Sequence, residues 1–173
     1  MAAPGVSSPT TPERLLAGST IYVFMGRLLA TPRARVRTAK AFIAGALALA
    51  AWTVYLGDSL PPGPYHAWST AWTGLDHLAL TWVGVDAVEC LALLTLGIAL
   101  LADRPLAVAV TALLALPVFA LDAWFDVMTS RSHQQLTDAV VLAALVELPL
   151  VVLLALIARQ QLARVVTPVP ARD

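Results

Sequence analysis

Apolar residues in this chain follow neither the period of an amphipathic surface helix nor that of a half-buried strand; they run on in long, nearly unbroken stretches. Four stretches stand out, at about 41–56, 78–101, 106–127 and 136–158. A helix needs roughly 20 apolar residues to cross a bilayer core about 30 Å thick, and the last three meet that length. The first is shorter, but Lys40 and Asp58 can serve as snorkelling or interfacial ends. Asp103-Arg104 followed by Pro105 separates the second stretch from the third by a very tight turn. The pattern predicts an all-α polytopic membrane protein, a four-transmembrane-helix bundle over 39–160.

The flanking segments differ in kind. Residues 1–38 are expected to be a cytoplasmic segment, in which Thr11-Pro12-Glu13 opens a helix. Its apolar run from Leu15 to Ala30 is interrupted by Arg27 and is short for a span, so an interfacial amphipathic helix is expected rather than a fifth crossing. Met1 to Thr11 has no basic n-region and no apolar h-region, so no secretory signal is expected there. After the first span, Pro61-Pro62-Gly63-Pro64 forbids a continuous helix, and Tyr65, His66, Trp68 and Trp72 suit a headgroup-level aromatic belt. Residues 161–173, with Pro168 and Pro170, are expected to be a disordered cytoplasmic tail.

Composition agrees with the pattern: 59% of the 173 residues are hydrophobic, 13% are charged, and mean hydropathy is +0.78. The net charge of zero hides a separation. Nine of the eleven acids lie between Asp58 and Glu147, where the only bases are Arg104 and Arg131. Arg27, Arg33, Arg35, Arg37 and Lys40 precede the first span, and Arg159 and Arg164 follow the fourth. The positive-inside rule then places both termini in the cytoplasm of a plasma-membrane protein. An acidic interior is the opposite of a nucleic-acid footprint. Cys90 is the single cysteine, which excludes an intrachain disulfide and marks a small packing residue.

Five carboxylates inside the spans carry the candidate chemistry: Asp86 and Glu89 in the second, Asp122 and Asp126 in the third, and Glu147 in the fourth. At about 100° per residue, Trp82, Asp86 and Glu89 fall on one stripe, and Asp122 and Asp126 share a face from which Trp124 points away. In the fourth span Val140, Ala143, Ala144 and Glu147 are expected on one face, with Asp138 on the other. Pro149 cannot donate to the carbonyl of Leu145, so a free acceptor and a kink are expected beside Glu147. At about 1.5 Å rise per residue the acids descend from Asp126 near the outer surface to Glu89 and Glu147 near the midplane. Below them no span contains an ionisable residue, which favours a one-sided vestibule over a continuous pore.

Carboxylates this close in an apolar medium cannot all be ionised; some hold protons, or a cation sits among them. Oxygen ligands suit a hard cation such as Ca²⁺ or Mg²⁺, and a protonated amine beside Trp82 is equally permissible. No cofactor and no particular metal are specified. His66, His77 and His133 fall on the outer side, where histidines are ordinarily just solvated. The bland alternative for the acids is polar glue, protonated carboxyls bonded between helices.

Trp82-Val83-Gly84-Val85-Asp86, Leu121-Asp122-Ala123-Trp124-Phe125-Asp126-Val127 and Glu147-Leu148-Pro149 resemble recurring blocks of an uncharacterised family of small four-helix integral membrane proteins of actinomycete bacteria. The resemblance implies a fold and a cell-membrane location and carries no activity. The expected function is an outward-facing acidic pocket that binds a proton, metal cation or organic cation, as a small transporter or sensor, through Asp86, Glu89, Asp122, Asp126, Glu147 and Trp82. The alternative is a non-catalytic membrane subunit whose carboxylates pair with basic residues of a partner protein. A lipid-directed enzyme comes third, because no nucleophile with its base and no phosphate loop accompanies the acids. Expected partners are the bilayer and either a second copy of the chain or a basic membrane protein.

Overall fold

The computed structural model describes residues 29, 31–59, 77–130 and 132–166. The expected interfacial helix, the aromatic outer loop and the end of the tail lie outside the described residues. Within them the chain forms four helices: α1 (Pro32–Ser59), α2 (His77–Leu101), α3 (Pro105–Thr129) and α4 (His133–Val166). All four contain stretches long and apolar enough to cross a membrane. Large side chains such as Leu47, Val54, Leu91, Ile98, Leu114 and Leu145 are exposed on the outside of the bundle. That girdle is the reverse of a soluble protein's surface.

α1 begins nine residues before the apolar stretch at 41. The Thr31 hydroxyl accepts a hydrogen bond from the Ala34 amide (3.1 Å), and Pro32 occupies the first helical position, where its missing N–H is harmless. Arg33, Arg35, Arg37 and Lys40 are therefore helical, and the boundary expected near 38 falls inside a continuous helix. With 28 residues, α1 is about 42 Å long, enough for its basic first turns to stand beyond a hydrocarbon core.

The turn between α2 and α3 closes as expected, by a specific device. Asp103 adopts a left-handed φ of 53°, its amide donates to Leu100 O (3.3 Å), and the Arg104 amide reaches back to Ala99 O (3.1 Å). These are the two bonds of a Schellman cap, with Asp in the place Gly usually takes. The Arg35 guanidinium of α1 pairs with the Asp103 carboxylate. At the same end Arg164 of α4 donates to Leu29 O (3.1 Å), tying α4 to the chain just before α1. α4 runs on to Val166, beyond the residue 161 at which a tail was expected.

α4 is not regular throughout. Its piece His133–Leu142 is α-helical, Ala143–Glu147 forms one π turn, and Leu148–Val166 is α-helical again. The Leu148 amide donates to Ala143 O, five residues back. The proline-induced disturbance expected at Pro149 thus takes the form of an inserted residue. It also shifts the inward stripe: Ala139, Ala143 and Glu147 are buried, whereas Val140 and Ala144, expected on that face, are exposed.

Packing is sequential, α1 on α2, α2 on α3 and α3 on α4; contact between α1 and α4 is marginal among the described residues. At the end that carries the Asp103 turn, here the lower end, one apolar cluster fills the bundle. It includes Ala39, Phe42 and Ala46 of α1, Leu96 and Leu100 of α2, Ala112 and Ala115 of α3, and Leu154 and Ile157 of α4. The many alanines let the backbones approach. Gly97 on α2 marks the tightest place: a Cβ there would come within 2.6 Å of Ile43 Cγ1 and 2.9 Å of the Ala39 carbonyl oxygen. Gly84, on the same helix, has nothing within 4 Å of its would-be Cβ.

Gly97→Ala should therefore lower stability by about 1–3 kcal/mol through overpacking against a backbone atom. Gly84→Ala should be neutral or raise it by up to about 1 kcal/mol through helix propensity. Thermal unfolding of the two variants in one detergent checks the contrast; equal melting temperatures would contradict the α1–α2 packing.

Candidate intramembrane acidic site

The upper half of the bundle is hollow. A cavity of about 1030 Å³ lies between all four helices, and Trp82, Asp86, Glu89, Asp122, Asp126 and Glu147 all line it. Three features of the chain bring them together. The i, i+3 spacing puts Asp86 and Glu89 on one edge of α2, the i, i+4 spacing does the same for Asp122 and Asp126 on α3, and the π turn of α4 ends on Glu147. Trp124 faces outward and is 59% exposed, and Asp138 is exposed and accepts a bond from Gln134 (2.9 Å).

Four of the acids are deeply buried, Glu89 at 2% exposure and Asp86, Asp122 and Glu147 at 6–7%; Asp126 is half-buried nearer the mouth. Carboxylate oxygens of Asp86, Glu89 and Asp122 all lie within 4.8 Å of one another, and so do those of Asp122, Asp126 and Glu147. Asp122 belongs to both groups. Each group has the spacing of oxygen ligands around one small cation, and neither includes a histidine.

Compensation is sparse. The Thr53 hydroxyl of α1 donates to Leu49 O (2.8 Å) and to Asp86 Oδ2 (3.2 Å), so its single hydrogen is shared between them. Glu89 Oε1, Asp122 Oδ1 and Glu147 Oε2 have no hydrogen-bond partner among the described residues. No Lys, Arg or His is among the described residues that line the cavity. Polar glue would pair these carboxyls across helices, and among the described residues only the Thr53–Asp86 contact does so.

The remaining wall is apolar. Leu49, Leu56, Leu142, Val146 and Leu150 form it with the indole of Trp52, while Leu93 and Phe119 make its floor above the packed lower half. Thr129, Ser130 and Gln135 stand at the upper rim, where α3 turns into α4. The cavity is thus closed at one end by the apolar core and reaches the other, as the ionisable-free lower halves of the spans imply.

Thr53 and Trp52 are absent from the site as read from the sequence. Thr53 is the one Ser or Thr between Ala41 and Asp58, and that isolation in an apolar stretch is the signal that marks it. The π turn has no such signal beyond Pro149 itself. No protein-family model, curated protein or solved structure matches the chain at a significant level, so the site rests on its own geometry.

Because the unpartnered acids hold no helix contact together, Glu89→Gln and Glu147→Gln should leave the melting temperature of the empty protein unchanged or raised. Thr53→Val, which leaves a buried carboxyl without its bond, should lower stability by about 1–3 kcal/mol. Losses of similar size in all three variants would support the glue.

Proposed function

We propose that this chain is a multi-pass protein of the plasma membrane, with both termini cytoplasmic, whose acidic cavity takes up a cation or proton from the outer side, as a small transporter or sensor. One observation carries the reading: Glu89, Asp122 and Glu147 line a common cavity, and each has a buried carboxylate oxygen with no protein partner among the described residues. A buried charge without compensation is costly, and a cation among these oxygens, or protons on them, supplies the compensation.

The orientation is argued from the bases. Arg33, Arg35, Arg37, Lys40, Arg104, Arg159 and Arg164 all belong to the lower end, so the positive-inside rule turns the mouth of the cavity outward. The packed lower half argues against a standing conduction path and for a site entered from one side. The kinship with small actinomycete membrane proteins is part of the same proposal and rests on the Asp86, Asp122 and Glu147 blocks.

Binding to the folded state raises stability by about 2.7 kcal/mol at a ligand concentration of 100 Kd. CaCl₂, MgCl₂ or butylammonium chloride should therefore raise the melting temperature of the purified protein above that in NaCl of equal ionic strength. Asp122→Asn, which removes the acid shared by both groups, should abolish the increase, and Asp126→Asn should only reduce it. If no cation shifts the transition and lowering pH does not either, the reading fails; a stoichiometric basic membrane protein in the preparation would then favour the subunit alternative. In a Cys90→Ala background, Ser132→Cys should react with an impermeant maleimide on intact cells and Ala102→Cys only after permeabilisation. The reverse pattern would invert the proposed orientation.

A further inference from the structure

We propose that the occupant of the cavity is a membrane-borne cationic amphiphile, a long-chain amine that enters sideways between α1 and α4 and seats its ammonium among the carboxylates. The proposal rests on the cation-binding reading above and adds the ligand class and its route.

Size argues first. The cavity holds about 1030 Å³, whereas a water molecule occupies about 30 Å³, and one group of three carboxylates already suffices for an ion. The volume is that of a site for an organic ligand, typically about 300–1,000 Å³. Wall chemistry argues second. Below the polar rim of Thr129, Ser130 and Gln135, and away from the acids, the lining is Leu, Val, Ala, Gly and aromatic, which offers an alkyl chain continuous contact and a hydrated metal ion no ligand. Trp52 and Trp82 add two indole rings to the same wall as the acids, ready to receive an alkylammonium by cation–π contact.

The third observation is the seam. Three of the four neighbouring helix pairs around the bundle pack closely, and the fourth, α1 with α4, makes marginal contact among the described residues. Ala48 and Trp52 of α1 and Leu142 and Val146 of α4 line the cavity and are also exposed on the outside of the bundle. The cavity wall therefore continues to the surface along this seam, as it does at the upper rim, where Thr129 and Gln135 are exposed. Inside, Glu89 is only 2% exposed, and its Oε1 has no partner among the described residues. An apolar doorway that leads to unpaired acids selects a ligand with a chain to stay in lipid and a positive head to leave it.

The test uses the full-length protein in phosphatidylcholine nanodiscs, with bound ligand counted by native mass spectrometry. Dodecylamine and dodecanol are supplied at the same bilayer mole fraction, so that partitioning of the chain cancels. The proposal expects at least tenfold greater retention of the amine, and loss of that preference in Glu89→Gln. Ala48→Trp, or Val146→Trp on the opposite lip, should fill the seam and reduce amine retention at least fivefold in a protein that still unfolds cooperatively. Equal retention of amine and alcohol would overturn the proposal. If calcium, magnesium or butylammonium stabilises the protein while dodecylamine is not retained, the cation reading stands and the amphiphile falls. If neither a cation nor lowering the pH registers, both fall.

Discussion

The expense of holding carboxyl groups in an apolar medium shapes everything else in this bundle. A single acid at the centre of a spanning helix costs roughly 2.5–3.5 kcal/mol even on a lenient insertion scale. Four carboxyl groups are buried here, with Glu89 and Glu147 nearest the midplane, so their penalty is a sizeable share of the folding stability of a domain, about 5–15 kcal/mol. One threonine hydroxyl offsets a small part for Asp86. The upper half of the molecule is hollow around these acids, and the lower half supplies the packing that holds the helices together.

The two halves meet these demands with different residues. Below, alanines and Gly97 allow close backbone approach, the Schellman cap at Asp103 turns the chain within three residues, and Arg35 and Arg164 latch α1 and the chain before it to the other helices. Above, the π turn beside Pro149 brings Ala139, Ala143 and Glu147 into one inward stripe. A regular helix would have placed Val140 and Ala144 with Glu147 instead. The inserted residue thus sets what faces the cavity, a common place for π turns to be found.

Much of this was legible in the chain. Run length revealed four apolar helices, and i, i+3 and i, i+4 spacings put the acid pairs of α2 and α3 on shared edges. The absence of ionisable residues below Glu89 and Glu147 foretold the closed lower half. What escaped depended on neighbours or on backbone detail. The start of α1 was misplaced because hydropathy sees the end of the apolar run, whereas Thr31 and Pro32 cap the helix nine residues earlier. The stripe of α4 was misjudged because angular arithmetic assumes an unbroken α period. Thr53 and Trp52 join the site because α1 packs on α2, a pairing that no spacing within either helix encodes. The seam between α1 and α4 is likewise a property of the assembled bundle.

The central claim is that these carboxyls are kept unpaired for an incoming positive charge. Infrared difference spectroscopy on the protein in nanodiscs reads it directly, through the C=O stretch that only a protonated carboxyl shows. The account predicts that the empty protein displays this band, that Glu89→Gln and Glu147→Gln each remove part of it, and that saturating cation bleaches it as protons leave. A band that is absent from the empty protein, or unchanged both by pH and by every cation, would contradict the account.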